Sequence, residues 1–382
     1  MRKSWPKVRL GDVLHRSEAM IELDPDVKYR QITLKLWGKG AMLRGVLTGA
    51  EIAAPRQTVA RRDQFILSRI DARNGALGIV PPELDGAVVS SDFPVFNVVA
   101  DRMLPAYLGW MCKTAAFVEE CQRASEGTTN RVRLQEDRFL AGEIPLPPLA
   151  EQRRVVSRIE ELSAEIHGAR SLRNDAAEET EALLVSTHLH LAGFRTRKIG
   201  EILTLDECEV RIMPIEEYPQ VGVKSFGGGL FPKPSILGTE TTYGTFNRLY
   251  KGAVVLSQVK GWEGAVAVCG SDLSGWFVSP EYRTFRCIPS EACPDYMAAV
   301  VRTEWFWGRL KNATRGVGAR RERTRPEQFL ALEISMPDVE HQQAAEHIFS
   351  EVGRLKSLQA ETSAKLDALM PSILDKAFRG EL

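Results

Sequence analysis

Ile144-Pro145-Leu146-Pro147-Pro148-Leu149-Ala150-Glu151-Gln152 opens a charged, proline-free stretch that runs to about Phe194. Three prolines in four positions hold the chain extended and keep a helix from starting earlier. Beyond them Val155, Leu162, Ala169, Ala176 and Leu183 recur at sevens, with Ile159 and Ile166 offset by four. This is the apolar seam of a helix packed along one partner helix, with Arg153, Arg154, Arg158, Glu160, Glu161 and Glu165 on wetter faces. Some 40 residues at about 1.5 Å each make a rod of roughly 60 Å. A helix of that length is a spacer.

A second such helix lies at the far end of the chain. Ser335-Met336-Pro337-Asp338-Val339-Glu340-His341-Gln342 repeats the extended lead-in in degraded form. Ala345, Val352, Gln359, Leu366 and Ile373 then recur at sevens, with Ile348, Leu355, Thr362 and Leu369 between them. Two long helices, each preceded by a globular stretch, predict two domains held apart by an antiparallel coiled coil.

The globular stretches are copies of each other. At an offset of 189, Leu10-Gly11-Asp12-Val13-Leu14 falls on Ile199-Gly200-Glu201-Ile202-Leu203, and Tyr29, Gln31, Lys35, Gly38 and Gly40 fall on Tyr218, Gln220, Lys224, Gly227 and Gly229. Leu67-Ser68, Gly75-Ala76, Phe96 and Tyr107 meet Leu256-Ser257, Gly264-Ala265, Phe285 and Tyr296. One residue is gained before Phe139-Leu140 meets Phe329-Leu330 and Pro147 meets Pro337. A solenoid unit has about 20–50 residues. This longer period is a duplicated module of one domain plus one helix, and such a pseudo-two-fold chain suits a two-part target. The expected divisions are 1–143 (first domain), 144–194 (lead-in and helix), 195–333 (second domain) and 334–382 (lead-in and helix).

Within the first copy, Tyr29 to Leu36 alternates as a strand should and ends at Trp37-Gly-Lys-Gly40. Phe65 to Ile70 and Ala76 to Val80 read as strands joined through a turn at Asn74-Gly75, with further strands at 87–90 and 93–99. Pro105 to Arg123 reads as one helix, and Asp295 to Leu310 as its counterpart. The expected fold class is α+β: two mostly-β domains in pseudo-two-fold repeat, with two long helices.

Composition bounds the function. The chain has 382 residues, 50 basic and 50 acidic, and 44% hydrophobic residues. No apolar run is long enough to span a bilayer, so no membrane partner is expected. Met1-Arg-Lys-Ser-Trp-Pro6 has no apolar stretch of a signal peptide, which predicts a cytoplasmic protein. The six cysteines form no Cys-x-x-Cys pair and read as reduced thiols. The six histidines show no metal-ligand spacing, and no metal site is expected. There is no Walker A sequence and no Gly-x-Gly-x-x-Gly after a strand. Pro81-Pro82 is followed by Glu83 and not by the aromatic residue of an amino-methyltransferase motif. No catalytic residue is assigned.

What the sequence does offer is polar residues at turns between strands. Lys35 and Lys39 bracket one glycine turn of the first copy; Arg69, Arg73 and Asn74 flank another. Lys224, Gln258, Lys260 and Trp262 stand at the matching places of the second. Such side chains can reach base edges, Arg suiting guanine and Asn or Gln adenine; ordinary solvated turn residues are the competing explanation. Two basic tracts lie just before the lead-ins. Arg131 and Arg133 form the first, and Arg315, Arg320, Arg321 and Arg323 belong to the second. Arginines among glycines make a plausible clamp on a phosphate backbone, against the alternative of a solvated charge run.

Three features together resemble one family. The run Pro145 to Arg154, the repeat of about 190 residues, and the tail Leu369-Met-Pro-Ser-Ile-Leu-Asp-Lys-Ala-Phe-Arg-Gly-Glu-Leu382 are similar to the specificity subunit of type I restriction–modification systems. The resemblance spans essentially the whole chain. It implies two target-recognition domains, each reading half of a bipartite double-stranded DNA site. It also implies partners: methyltransferase subunits, normally two, and a restriction (motor-nuclease) subunit. S-adenosylmethionine, ATP and Mg are then expected only on those partners. Pro147, Pro148, Glu151 and Gln152 of the first lead-in, Pro337 and Gln342 of the second, and Phe378 of the tail are the expected partner-binding residues. The second lead-in departs from the pattern by two lost prolines and the lost Ala-Glu. Two rival readings are a coiled-coil scaffold without DNA specificity and a self-contained DNA methyltransferase.

Overall fold

The computed structural model describes residues 5–127, 132–313 and 323–382. Contacts divide the chain into two compact units, Met1–Arg170 with Ser363–Leu382, and Ser171–Thr362. Each unit contains one mostly-β domain, part of the helix Leu149–Ala192 and part of the helix Val339–Phe378.

The first domain is built from two sheets. Four antiparallel strands run in the order Leu14–Arg16, Val95–Val98, Phe65–Leu67, Leu77–Ile79. A five-stranded sheet has the order Met20–Glu22, Arg56–Val59, Val88–Val89, Lys28–Lys35, Gly40–Thr48, with one parallel pairing between Lys28–Lys35 and Val88–Val89. Phe65, Phe96, Phe117 and Phe139 meet at the centre of the core, centroids 6.0 to 6.3 Å apart. Lys7–Arg9 pairs antiparallel with Glu143–Pro145, which closes the domain beside the start of its helix.

The second domain repeats the four- and five-stranded sheets strand for strand, including the parallel pairing and a register shift in the long hairpin. The edge strand Gly229–Leu237 carries Pro232 and Pro234, tolerated because an edge strand leaves one row of N–H groups unpaired. Those prolines, and the exposed Met42, Leu43 and Val46 of Gly40–Thr48, blur the alternation that marks a strand. Neither strand was expected from sequence.

Two expectations about helices change. The segment 105–123 is two helices, Pro105–Met111 and Ala115–Arg123, because Thr114 caps a new start by accepting the Phe117 N–H at 3.3 Å. The counterpart is likewise split into Pro294–Val300 and Glu304–Ala313.

The long helices begin where expected, at Leu149 and Val339. Asp338 occupies the place of Pro148 (148 + 190 = 338) and accepts the His341 N–H at 3.1 Å, a cap in place of a proline stop. Their buried faces differ from the expected seams. On the first helix Val155, Ile159 and Ile166 are buried, but Ala169, Ala176 and Leu183 are exposed while Leu184 and His188 are buried. A straight helix drifts about 20° per heptad against a strict 3.5-residue repeat, so over the four heptads from Val155 to Leu183 the drift reaches about 80°, close to one residue. On the second helix Ala345 and Val352 are buried as expected. Ile348, Leu355, Thr362 and Leu369 face solvent, while Phe349 is buried and Met370 partly buried. Phe349 is drawn in by Tyr296, whose ring stacks at 4.5 Å.

Within each unit the helix segments run antiparallel. Arg154 donates to the Leu382 carbonyl at 2.7 Å and Arg170 pairs with Asp367 at 2.7 Å in the first unit. Lys356 pairs with Glu181 at 2.7 Å and Arg173 donates to the Gln359 carbonyl at 3.3 Å in the second.

Candidate nucleic-acid interface and the domain–helix junction

The two lead-in glutamines make one construction twice. Gln152 is fully buried; its Oε1 accepts the Leu104 N–H at 2.9 Å, and its Nε2 donates to the carbonyls of Arg102 and Pro147, each at 2.8 Å. Gln342, also fully buried, accepts the Cys293 N–H at 2.9 Å and donates to the carbonyls of Glu291 at 2.9 Å and Pro337 at 2.8 Å. One amide thus ties the loop before a domain helix to the lead-in and the first turn of the long helix. A carboxamide can do this because it donates twice and accepts at the same time.

These glutamines were expected on a surface offered to partners; the structure places both inside. Pro147 and Pro337 are buried, whereas Pro148 is exposed. Glu151 is half-buried and hydrogen-bonded to Arg154 through both carboxylate oxygens at 2.9 Å. Phe378 lies partly buried against Tyr107, ring centroids 5.1 Å apart. His188 holds the equivalent place in the second unit, where Tyr296 replaces Tyr107. Its Nδ1 is 2.8 Å from the Tyr296 hydroxyl and its Nε2 is 3.0 Å from the Ser335 carbonyl. A carbonyl can only accept, so Nε2 carries the proton and the phenol donates to Nδ1. Burial pushes the imidazole pKa down to about 4.

The turn residues expected to meet DNA gather around the tip of the long hairpin of each domain. In the first, the Trp37 N–H donates to the Asn74 carbonyl at 2.9 Å and the Gly38 N–H to the Gly75 carbonyl at 3.0 Å. This brings Lys35 and Lys39, both exposed, beside the turn 71–75. In the second, the Phe226 N–H donates to the Glu263 carbonyl at 2.7 Å and the Gly227 N–H to the Gly264 carbonyl at 3.3 Å. Lys224 and Lys260 are exposed there and Trp262 is half-buried.

Several of the expected readers are already engaged. Arg69 is ion-paired with Glu136, its Nε 2.9 Å from the carboxylate. Asn74 donates to Asp71 at 3.3 Å, Gln258 donates to the Pro280 carbonyl at 3.2 Å, and Lys260 stands 3.6 Å from Glu263. Arg73 is half-buried, and its carbonyl accepts from Gln122 at 3.1 Å. Arg133 pairs with Asp92 at 2.9 Å and Arg323 with Glu281 at 3.1 Å. Arg131, Arg315, Arg320 and Arg321 lie outside the described residues. The side chains that sequence reasoning missed are Trp37 and Phe226, exposed at 76% and 66% on the two tips. Their signal was an aromatic residue before a glycine at the same place in both copies.

Two domains of one topology, each clamped to a long helix by a buried glutamine, define the fold class: a duplicated domain-plus-helix chain. No protein-family model and no curated protein matches the sequence. Solved structures do match the fold. The HsdS subunit from Thermoanaerobacter tengcongensis is 21% identical over 100% of this chain and 98% of that one, with a TM-score of 0.53. A chain from a structure described as showing complex assembly and conformational transition of the type I restriction–modification system is 21% identical over 100% and 99%, with a TM-score of 0.65. This chain therefore shares the fold of those two chains over its full length.

Proposed function

We propose that this chain is the DNA-specificity subunit of a type I restriction–modification complex. Each domain reads one half of a bipartite duplex site, and the chain performs no catalysis of its own. The observation that carries the reading is the full-length likeness of fold at a TM-score of 0.65. Lysines around both hairpin tips suit a polyanion, and the arginine tract from Arg315 to Arg325 suits a phosphate backbone. The long helices leave Leu172, Leu183, Ile348, Leu355 and Leu358 exposed, an apolar surface of the kind that methyltransferase subunits would cover. S-adenosylmethionine, ATP and Mg would then be held by partner subunits, in the cytoplasm.

The test is binding of the full chain to random-sequence duplex at several salt concentrations, followed by selection of tight-binding sequences from the pool. Affinity that falls linearly in log–log form with salt, and a selected motif in two separated halves, is the expected result. Salt-independent or absent binding would favour a scaffold, and heat of binding with S-adenosylmethionine alone would favour a methyltransferase.

A further inference from the structure

Trp37 and Phe226 occupy the same position of the repeat (37 + 189 = 226), and both hold a backbone conformation that side chains avoid. Trp37 has φ 61° and Phe226 has φ 57°. Among the described residues one other non-glycine has positive φ, Asp63, whose short polar side chain tolerates that region. A bulky aromatic there is an outlier, and such strain persists only where surrounding structure imposes it.

That imposition is visible at both tips. Backbone bonds from residues 37 and 38 to the turn at Asn74 and Gly75 recur from 226 and 227 to Glu263 and Gly264. The glycine after each aromatic is also in the left-handed region and sits against the corner between two helices. A Cβ on Gly38 would come within 3.2 Å of Lys113, and one on Gly227 would run into the Arg302 carbonyl oxygen. The Arg302 Nε donates to the Gly227 carbonyl at 2.8 Å. Each tip is therefore fixed to its domain from two sides, while its aromatic ring stays mostly exposed; the Phe226 ring is further braced edge-on by Trp307, centroids 5.6 Å apart.

Charge says what the rings meet. Lys35 and Lys39 flank Trp37, and Lys224 is two residues from Phe226. A rigid, exposed ring among ammonium groups suits a polyanion with stacked apolar interiors, and apolar side chains of this kind enter grooves and part base steps.

We propose that Trp37 and Phe226 are the apolar wedges of the two domains. Each inserts its ring into a groove of duplex DNA and unstacks the base step it meets, while the neighbouring lysines hold the phosphates. This inference rests on the DNA-reading function proposed above.

The test uses the full chain and a duplex selected from a random-sequence pool, with 2-aminopurine, an adenine analogue that brightens when unstacked, placed at successive positions. Trp37→Gly should weaken binding roughly ten- to a hundredfold and leave the log–log salt slope unchanged. It should also raise thermal stability by roughly 2–4 °C, because glycine adopts positive φ freely. Trp37→Phe should restore most of the affinity. Brightening in one half-site should vanish in Trp37→Gly, and in the other half-site in Phe226→Gly.

Unchanged affinity and brightening in the glycine variants, with the wild type still selecting a motif, would overturn the wedges alone. A lowered salt slope with brightening retained would make the tips phosphate contacts and overturn them too. Intact DNA binding with lost capture of a methyltransferase subunit would make the tips a protein contact, which likewise overturns the wedges. A wild-type chain that binds no DNA would overturn both this inference and the function on which it rests.

Discussion

His188 and Phe378 are one position of the repeat (188 + 190 = 378) filled by two chemistries. His188 satisfies the buried Tyr296 hydroxyl, whereas the Tyr107 hydroxyl, packed on Phe378, is buried with no hydrogen-bond partner among the described residues. A buried hydroxyl left unsatisfied costs about 1–3 kcal/mol. His188→Phe should therefore lower stability by about that amount at pH 8, and Phe378→His should be tolerated better than Phe378→Ala; urea midpoints of the three variants check this. The wild-type imidazole adds a pH dependence. Its folded pKa of about 4 lies below the unfolded value near 6.5, because burial disfavours the charged ring and Arg309 opposes it as well. Stability is then full above about pH 6.5 and falls as pH drops toward 4, by up to about 3 kcal/mol. That loss should be missing from His188→Phe when unfolding is followed from pH 7.5 to 4.

At the scale of elements, the two long helices show how a repeat of sevens misleads by one residue. Leu183 is 58% exposed and its neighbour Leu184 is 3% exposed. Leu183→Ala is expected to stay within about 0.5 kcal/mol of wild type, and Leu184→Ala to cost about 2–5 kcal/mol. The second helix repeats the contrast with Ile348 at 52% and Phe349 at 1%. Equal losses at Leu183 and Leu184 in denaturant titrations would return the seam to the strict heptad. The glutamine clamps belong to this scale as well. Gln152→Ala orphans the Leu104 N–H and two carbonyls, and should destabilise by about 2–4 kcal/mol, with Gln342→Ala doing the same in its own unit.

At the scale of the whole molecule, duplication is the organising fact. Each domain closes on itself through a strand pair beside its lead-in, Lys7–Arg9 with Glu143–Pro145 and Thr196–Lys198 with Glu333–Ser335. Replacement of residues 1–143 by the matching domain of a relative should alter one half of the selected DNA motif and leave the other intact, read by methylated-adenine mapping in cells. A change in both halves at once would mean that the domains do not read independently.

The repeat, the extended lead-ins and the starts of the long helices were legible in the sequence, because each depends on local chemistry. Closely spaced prolines hold a lead-in extended, glycine marks turns, and an offset of about 190 residues needs no three-dimensional knowledge. The edge strands Gly40–Thr48 and Gly229–Leu237 were not legible, because a strand with one unpaired row and an exposed face loses the alternation that reveals it. Nor was the fate of polar residues. Arg69, Asn74 and Gln258 look the same in sequence whether they reach for a ligand or for Glu136, Asp71 and Pro280. Gln152 and Gln342 were visible as part of a motif, but their burial was settled by loops some 50 residues away in the chain. Only the folded chain decides which aromatics stay outside: Phe65 and Phe139 are drawn into a core by many distant neighbours, while Trp37 and Phe226, the latter with one edge on Trp307, stay mostly exposed on a strained and braced turn.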